Sequence, residues 1–139
     1  MSDSKEKNLK IIFIVNHVSF FMSHRLPIAI AALRQGYEIE LLTGKAGSDV
    51  MESNAREELK KYNIKHTYVS FRAGGLNPII EVIGVLQLFL LLLIKKPDLV
   101  HCVSPKGNLY GGLAARLAGI RAIVFAVSGM GYLSTSLER

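Results

Sequence analysis

The segment best suited to chemistry is 104–107 (SPKG), which joins a short apolar run to a helix-like stretch of small residues. The first turn of a helix leaves backbone N–H groups unpaired and carries partial positive charge, so an anion binds there favourably. Lys106 adds a full positive charge at the same place. The pattern predicts an anion site at a strand–loop–helix corner. The alternative is an ordinary corner with a solvated lysine.

Histidine and arginine side chains follow the first predicted strand. His17 could act as a general base or hold a sugar or phosphate, and it could equally cap a backbone group. His24 and Arg25 lie at a predicted helix start, where a cation is unfavourable unless an anion compensates it. Arg72, on a later loop, is either a phosphate ligand or a solvated arginine. His101 lies inside a predicted strand and is interpreted as a core histidine.

Several kinds of site are excluded by spacing. The first strand is followed by NHVSFFMSHR, which has no glycine to admit a pyrophosphate, so a nicotinamide cofactor is not expected. The segment GKAGS lacks the spacing of a phosphate-binding P-loop, and no G-x-S-x-G elbow occurs. The four histidines show no metal-ligand spacing. We therefore expect neither a cofactor nor a metal.

Composition narrows the class of protein. A chain of 139 residues is large enough for one domain with a real core. Its net charge of +6 is spread along the chain without a basic run, which argues against nucleic acid and favours phosphorylated substrates or anionic lipid headgroups. The single cysteine, Cys102, forms no internal disulfide and is expected to be buried. The polar start MSDSKEKNLK predicts no signal peptide and hence a cytoplasmic location.

Strand and helix patterns alternate along the chain. The predicted strands are Leu9–Val15, Tyr37–Thr43, Ile64–Phe71, Leu99–Val103 and Arg121–Val127. The predicted helices are Ser23–Gln35, Ser48–Tyr62, Ile79–Ile94 and Leu109–Leu117, with residues 1–8 as a flexible polar lead and 16–23 as a loop. Crossovers of this length require parallel pairing. The fold class is therefore α/β, a doubly wound, mostly parallel sheet of about five strands, and its site lies at the carboxyl ends of the strands.

The helix Ile79–Ile94 is unusually apolar. Its apolar part, Val82–Ile94, is thirteen residues long, which is too short to cross a hydrocarbon core of about 30 Å. Lys95 and Lys96 follow it directly. The pattern indicates either a helix buried in the core or a helix that binds anionic membranes peripherally.

Four segments together resemble a known family: NHVSFFMSHRLPIAIAAL, SFRAGGLNP, PDLVHCVSPKGNLYGGLAARLAG and SGMGYL. They are similar to the N-terminal half of family-four glycosyltransferases, which have the two-domain GT-B fold. Bacterial transferases that extend lipid-linked oligosaccharides, as in O-antigen or capsule synthesis, are the most similar. The resemblance implies sugar transfer from a nucleotide-sugar donor with retention and without an obligatory metal. It also implies that this half binds the acceptor, a polyprenyl-diphosphate-linked or other saccharide.

Carried onto this sequence, the resemblance implies a set of acceptor contacts at the ends of the first, third and fourth strands. They are His17, His24, Arg25, Arg72, Asn77, Ser104, Lys106, Gly107 and Asn108. Arg25 and Lys106 would face phosphates of the acceptor or donor. Many relatives have a histidine just after the fifth strand, where this chain has Ser128, Gly129 and Gly131. The catalytic residue is therefore not identified.

The chain has the length of one domain, whereas a GT-B enzyme has two. A two-domain enzyme needs two to three times the length of one domain, so we expect residues 9–139 to form one Rossmann-like domain, with the donor-binding C-terminal domain absent. The first hypothesis is the acceptor-binding half of a transferase, inactive alone. The second is a membrane-docking subunit of a split transferase that recruits a separate donor-binding chain. The third hypothesis, a flavodoxin-like or response-regulator-like domain, is disfavoured, because it needs an acidic phosphoacceptor loop or a flavin loop after the first or third strand, and those loops are basic or aromatic.

Overall fold

The computed structural model describes residues 9–45, 49–72 and 77–126. The strands are β1 Lys10–Val15, β2 Glu38–Lys45, β3 Lys65–Arg72, β4 Leu99–Val103 and β5 Ile123–Ala126. The helices are α1 Val18–His24, α2 Leu26–Arg34, α3 Asp49–Lys61, α4 Pro78–Lys95 and α5 Gly112–Leu117, and a π-helical segment, Gly107–Gly111, precedes α5. The five strands form one parallel sheet in the order β3-β2-β1-β4-β5. The predicted α/β fold class is confirmed.

The two faces of the sheet carry two cores. On one face Phe13 and Leu41 pack with Phe21 of α1 and Leu59 of α3. On the other face Ile12 and Ile14 of β1 pack with Leu88 and Leu92 of α4 and with the alanines of α5. Because β1 is covered on both faces, it is apolar from Ile11 to Val15, as parallel central strands usually are.

The predicted loop at 16–23 is wrong, as is the predicted helix start at Ser23. The chain turns into α1 directly after His17, whose Nδ1 accepts a hydrogen bond from the Phe20 N–H at 3.1 Å. His17 therefore does what serine or aspartate usually does at a helix start. Val18 and Phe21 are buried, which is the spacing of a helix face. A break at Arg25 separates α1 from α2.

Helix α4 is buried on one face and exposed on the other. It has 18 residues, about 27 Å at 1.5 Å per residue, so it is longer than the thirteen-residue apolar run on which the sequence expectation was based. Among the described helices it alone is long and apolar enough to cross a membrane, by length and composition only. Leu88 and Leu92 bury one face of α4 against the sheet, whereas its other face is exposed.

Two glycines bring the segment after β4 against the sheet. A Cβ on Gly107 would lie 2.6 Å from the carbonyl oxygen of Ile14, and a Cβ on Gly111 would lie 2.9 Å from Cys102 Sγ. No other residue type fits this approach without a shift of the backbone or of the core. The small residues of this segment therefore let it lie close against the sheet. The polar lead, residues 1–8, lies outside the described residues.

Candidate functional site

The candidate site lies at the carboxyl ends of β1 and β4, where the strand order of the sheet reverses. Doubly wound sheets bind ligands in the crevice at this position. Asn16 follows β1, and its Oδ1 accepts a hydrogen bond from the Gly107 N–H at 3.2 Å. This bond joins the loop after β1 to the loop after β4. We use the name β1/β4 crevice for these two loops together with His101 of β4 and with Arg25, whose charge acts on His101.

Ser104 makes the turn out of β4 in an unusual conformation. Its φ is 73°, in the left-handed region that favours glycine, and its side chain is buried. Ser104 Oγ has no hydrogen-bond partner in the described part of the chain. Strained backbone that holds an unpartnered polar group is typical of binding sites.

Asn108 links the same corner to β5. Its backbone N–H donates to the Ser104 carbonyl at 2.8 Å, and its Nδ2 donates to the Ala126 carbonyl at 3.2 Å. Asn108 Oδ1 is buried without a partner among residues 9–45, 49–72 and 77–126. The crevice therefore offers a second unpartnered acceptor beside Ser104.

Arg25 and His101 are electrostatic neighbours, and each has a buried polar atom. His101 stacks on Phe13 with a centroid distance of 4.7 Å, so it is a core histidine by position, but its Nε2 is buried without a hydrogen-bond partner. Burial lowers the pKa of His101, and the charge of Arg25 lowers that pKa further. Arg25 Nε is also buried without a partner. The ion pairs of the described residues all involve other side chains, so no described carboxylate pairs with Arg25.

Lys106 is not a solvated lysine. Its Nζ donates to Glu81 Oε1 at 2.7 Å, and the two side chains are only 15% and 12% exposed. Burial raises the pKa of Glu81, but hydrogen bonds from Lys106 and Tyr110 outweigh burial and hold that pKa below its usual value. The pairing with Glu81 was not predicted, since the two residues lie on different elements.

His17 lies beside a buried carboxylate that the sequence did not single out. Glu52 of α3 is 5% exposed and accepts hydrogen bonds from Ser19 Oγ at 3.3 Å and Tyr68 OH at 3.0 Å. His17 Nδ1 lies 3.9 Å from Glu52 Oε1. Because this nitrogen accepts from the Phe20 N–H, the hydrogen-bond pattern assigns the proton of the neutral ring to Nε2. In sequence, Glu52 is one of several acidic residues on an amphipathic helix, and nothing there marks it.

Other predicted site residues lie elsewhere or have other partners. His24 is exposed, stacks on Phe20 at 4.2 Å and ends α1, where a cation suits the helix dipole. Asn77 caps α4, with its Oδ1 accepting from the Ile79 N–H at 3.1 Å. Arg72 ends β3, and its side chain lies outside the described part of the structure. Ser128, Gly129 and Gly131 also lie outside the described residues.

The crevice is suited to an anionic or hydroxyl-rich ligand. Arg25 supplies a permanent charge, and His101 Nε2, Ser104 Oγ and Asn108 Oδ1 are buried polar atoms without described partners. Buried polar groups are costly unless a ligand or water satisfies them. No group of three or more metal-ligating side chains occurs among the described residues.

Comparison with known proteins places the chain in a family. Residues 10–138 match the model of the family described as glycosyl transferase 4-like. A curated relative from Escherichia coli, UDP-Gal:alpha-D-GlcNAc-diphosphoundecaprenol alpha-1,3-galactosyltransferase, is 32% identical over 73 residues. That match covers 52% of this chain and 19% of the relative, so the two are compared over a small part of the relative's length.

Solved structures show the same fold at low identity. MurG from Acinetobacter baumannii matches with a TM-score of 0.64 at 20% identity, over 93% of this chain and 38% of MurG. The calicheamicin glycosyltransferase CalG4 matches with a TM-score of 0.58 at 15% identity, over 94% of this chain and 36% of CalG4. A UDP-N-acetylglucosamine 2-epimerase described as putative, from Listeria monocytogenes, matches at 0.65, so the fold alone does not decide the reaction. The chain belongs to the glycosyl transferase 4-like family and has the Rossmann-like fold of an N-terminal GT-B half.

Proposed function

We propose that this chain is the acceptor-binding half of a retaining glycosyltransferase. The full enzyme would move a sugar from a nucleotide-sugar donor to a lipid-linked or cell-surface saccharide, with the donor held by a second domain or chain. The E. coli relative, by its name, uses a UDP-sugar donor and a diphosphoundecaprenol-linked acceptor, which supports this class of donor and acceptor. The chain spans 19% of that relative's length, so we propose, and do not assign, the donor, the acceptor and the transfer reaction of the full enzyme.

Arg25 is the observation that carries the proposal. A guanidinium with a buried, unpartnered Nε and no described carboxylate needs an anion. The neighbouring His101 has a lowered pKa and stays neutral near pH 7, so it does not compete with Arg25 for that anion. Arginine binds phosphate oxygens through two parallel hydrogen bonds. A phosphate of a polyprenyl-diphosphate-linked saccharide fits these requirements.

The remaining groups of the crevice are assigned to the sugar. Ser104 Oγ can donate to or accept from a hydroxyl, and Asn108 Oδ1 can accept from one. His101 Nε2 can serve in either direction, depending on its tautomer. These contacts would orient an acceptor hydroxyl toward the donor. Transfer requires donor and acceptor to be held in one closed cleft, so this chain alone would bind but not catalyse.

The proposal is tested by calorimetric titration with a short-chain polyprenyl diphosphate that carries N-acetylglucosamine. Arg25→Met should weaken binding about tenfold to a hundredfold, because charged hydrogen bonds are worth about 1.5–3 kcal/mol. Arg34→Met is the matched control, since Arg34 lies exposed at the end of α2. Equal affinity of the two variants would remove Arg25 from the site and with it the main support for the proposal.

The exposed face of α4 favours a second, compatible role in peripheral membrane binding on the cytoplasmic side. Its exposed apolar side chains are Ile79, Val82, Ile83, Leu86, Leu90, Leu93 and Ile94. Such a continuous apolar face, next to a basic residue, is typical of helices that lie in a membrane interface. Of the two lysines after this face, Lys95 pairs with Glu40, and Lys96 is exposed. On this interpretation the chain docks a separate donor-binding subunit at the membrane.

Vesicle flotation tests the membrane role. The double variant Leu86→Ser/Leu90→Ser should lose co-flotation with anionic vesicles at low salt, whereas Val50→Ser, an exposed apolar residue on α3, should keep it. Absence of co-flotation for the unmodified chain would end this interpretation and leave the acceptor proposal standing.

A further inference from the structure

We propose that Asn16 is a ligand-binding residue of the β1/β4 crevice, where its Nδ2 donates a hydrogen bond to an acceptor oxygen of the bound ligand. The inference rests on the proposed function, because it concerns the same ligand. Asn16 directly follows β1, and the sequence does not single it out for the site. The structure gives its side chain one contact across the crevice, and that contact leaves the other end of the carboxamide available.

The orientation of the Asn16 carboxamide follows from its contact with Gly107. The Gly107 nitrogen lies 3.2 Å from Asn16 Oδ1. Because a backbone N–H only donates, the atom that faces it must be the accepting oxygen, and the NH2 group points away from Gly107. Gly107 is buried, so an unpaired N–H there would be costly. This cost holds the side chain in the observed orientation.

The backbone at Gly107 lies against the end of β1. A Cβ on Gly107 would lie 2.6 Å from the carbonyl oxygen of Ile14 and 3.5 Å from Val15 Cα. Asn16 is therefore bonded to a part of the loop after β4 that has little room to move. A donor that is already held in one orientation loses little conformational freedom when a ligand binds, which favours binding.

Asn16 Nδ2 is free to meet a ligand. It has no hydrogen-bond partner in the part of the chain that the structure describes, and Asn16 is only half-buried. Asn108 directly follows Gly107, and its N–H donates to the Ser104 carbonyl at 2.8 Å. The two oxygens without described partners, Ser104 Oγ and Asn108 Oδ1, thus belong to the same corner that Asn16 contacts.

The three groups differ in what they accept from a ligand. The Asn16 NH2 group only donates, Asn108 Oδ1 only accepts, and the Ser104 hydroxyl does either. Asn16 therefore selects a ligand oxygen, from a phosphate or from a sugar, and disfavours a ligand donor at that point. A site with a fixed donor on one loop and a fixed acceptor on the other restricts the orientation of the ligand between them.

Asn16→Asp separates ligand binding from the contact with Gly107, because a carboxylate still accepts the Gly107 N–H but offers no donor to the ligand. Calorimetry with the short-chain polyprenyl diphosphate that carries N-acetylglucosamine should show binding weakened about tenfold or more. Asn63→Asp makes the same charge change in the exposed turn before β3, at the opposite edge of the sheet, and should keep the parent affinity. Parent-like affinity of Asn16→Asp would indicate a structural role alone and would overturn the inference.

Salt dependence separates a lost hydrogen bond from repulsion by the new charge. Repulsion at a distance is screened at about 1 M salt, where the Debye length is about 3 Å, whereas a lost direct contact is not restored by salt. The ratio of the Asn16→Asp affinity to the parent affinity should therefore stay low at high salt. A ratio that returns to one at high salt overturns the inference.

Side-chain amide NMR of the unmodified chain gives a readout that needs no variant. The Asn16 Nδ2 protons should shift when the ligand saturates the chain. A shift already seen with the polyprenyl diphosphate that lacks the sugar assigns the contact to a phosphate oxygen, and a shift seen only with the sugar present assigns it to a sugar oxygen. Unchanged Asn16 Nδ2 resonances at saturation overturn the inference, whereas failure of the unmodified chain to bind counts against the proposed function itself.

Discussion

Lys95, the last residue of α4, forms an ion pair with Glu40, which is 2% exposed inside β2. Lys10 of β1 contacts the same carboxylate at 3.1 Å. One buried glutamate therefore fixes the end of the apolar helix to two neighbouring strands. The opposite end of α4 is fixed by the pair of Glu81 and Lys106. Helix α4 is thus anchored by charges at both ends, while its exposed face remains apolar.

Replacing Glu40 should destabilise the fold. Glu40→Gln leaves two partly buried lysines without their carboxylate and should lower the free energy of unfolding by about 3 kcal/mol at pH 7. Urea denaturation measures this value. Glu38→Gln on the same strand is exposed and should change stability by less than about 0.5 kcal/mol. Similar losses in both variants would contradict the anchoring role of Glu40.

The stabilisation by Glu40 should also depend on pH. Burial raises the pKa of Glu40, but its contacts with the Lys95 and Lys10 ammonium groups outweigh burial and lower the pKa below its usual value of 4.5. A lowered pKa means that the folded state binds fewer protons, so this stabilisation is present above pH 4.5 and lost as the pH falls through the folded pKa. The difference between the parent and Glu40→Gln should therefore shrink below pH 4.5. A constant difference would contradict this assignment.

Much of the fold could be predicted because its signals are local. Each predicted strand overlaps an observed one, since buried parallel strands are continuous apolar runs such as IIFIV in β1. Helix α1 was missed because a histidine is an uncommon helix cap, and the apolar spacing of Val18 and Phe21 spans too few residues to stand out. Sequence patterns miss a helix when its first residue is of a type that rarely caps helices, as His17 is at the start of α1.

The site was less predictable because it depends on contacts between distant elements. The sequence predicts Lys106 in the turn after the fourth strand, where the structure has it, but no local pattern indicates that Glu81 of α4 pairs with it. The burial of Glu52 likewise depends on Ser19 and Tyr68, which lie on other elements. Arg25 was singled out for its charge, whereas its lack of a described carboxylate is visible only in the structure.

Gly107 and Gly112 provide a matched test of the packing after β4. Gly107→Ala would set a Cβ 2.6 Å from a backbone oxygen of β1, which cannot move without the sheet, so we expect a loss of about 2 kcal/mol. Gly112→Ala would meet the ring of Phe125, which is 43% exposed and can turn away, so its cost should be much smaller. Thermal denaturation compares the two. Equal costs would contradict the close approach at Gly107.

His66 should remain neutral at mildly acidic pH. Burial, and then the nearby charge of Arg56, lower the pKa of His66 from 6.5 to about 4. Its Nε2 lies 2.8 Å from Thr43 Oγ1. Because the unfolded state takes up this proton near pH 6.5 and the folded state does not, stability should fall as the pH drops from about 6.5 toward 4. Histidine NMR titration checks the pKa, and a His66 midpoint above pH 6 would contradict it.

Cys102 should be inert in the folded chain. It is fully buried in β4, and burial raises the pKa of its thiol to about 12. Since the thiolate is the reactive form, a thiol reagent at pH 8 should react at a negligible rate until denaturant unfolds the chain. Rapid reaction of the native protein would show that this side of β4 is open to solvent.

A single titration series can decide which substrate of the transfer reaction this chain binds. Calorimetric titration should compare a polyprenyl-diphosphate-linked N-acetylglucosamine with UDP-sugars under the same conditions. We expect binding of the lipid-linked acceptor, weakened by Arg25→Met, together with weaker or undetectable binding of UDP-sugars and no sugar transfer by the chain alone. Tighter binding of a UDP-sugar than of the acceptor, or turnover by this chain alone, would contradict the acceptor-half assignment.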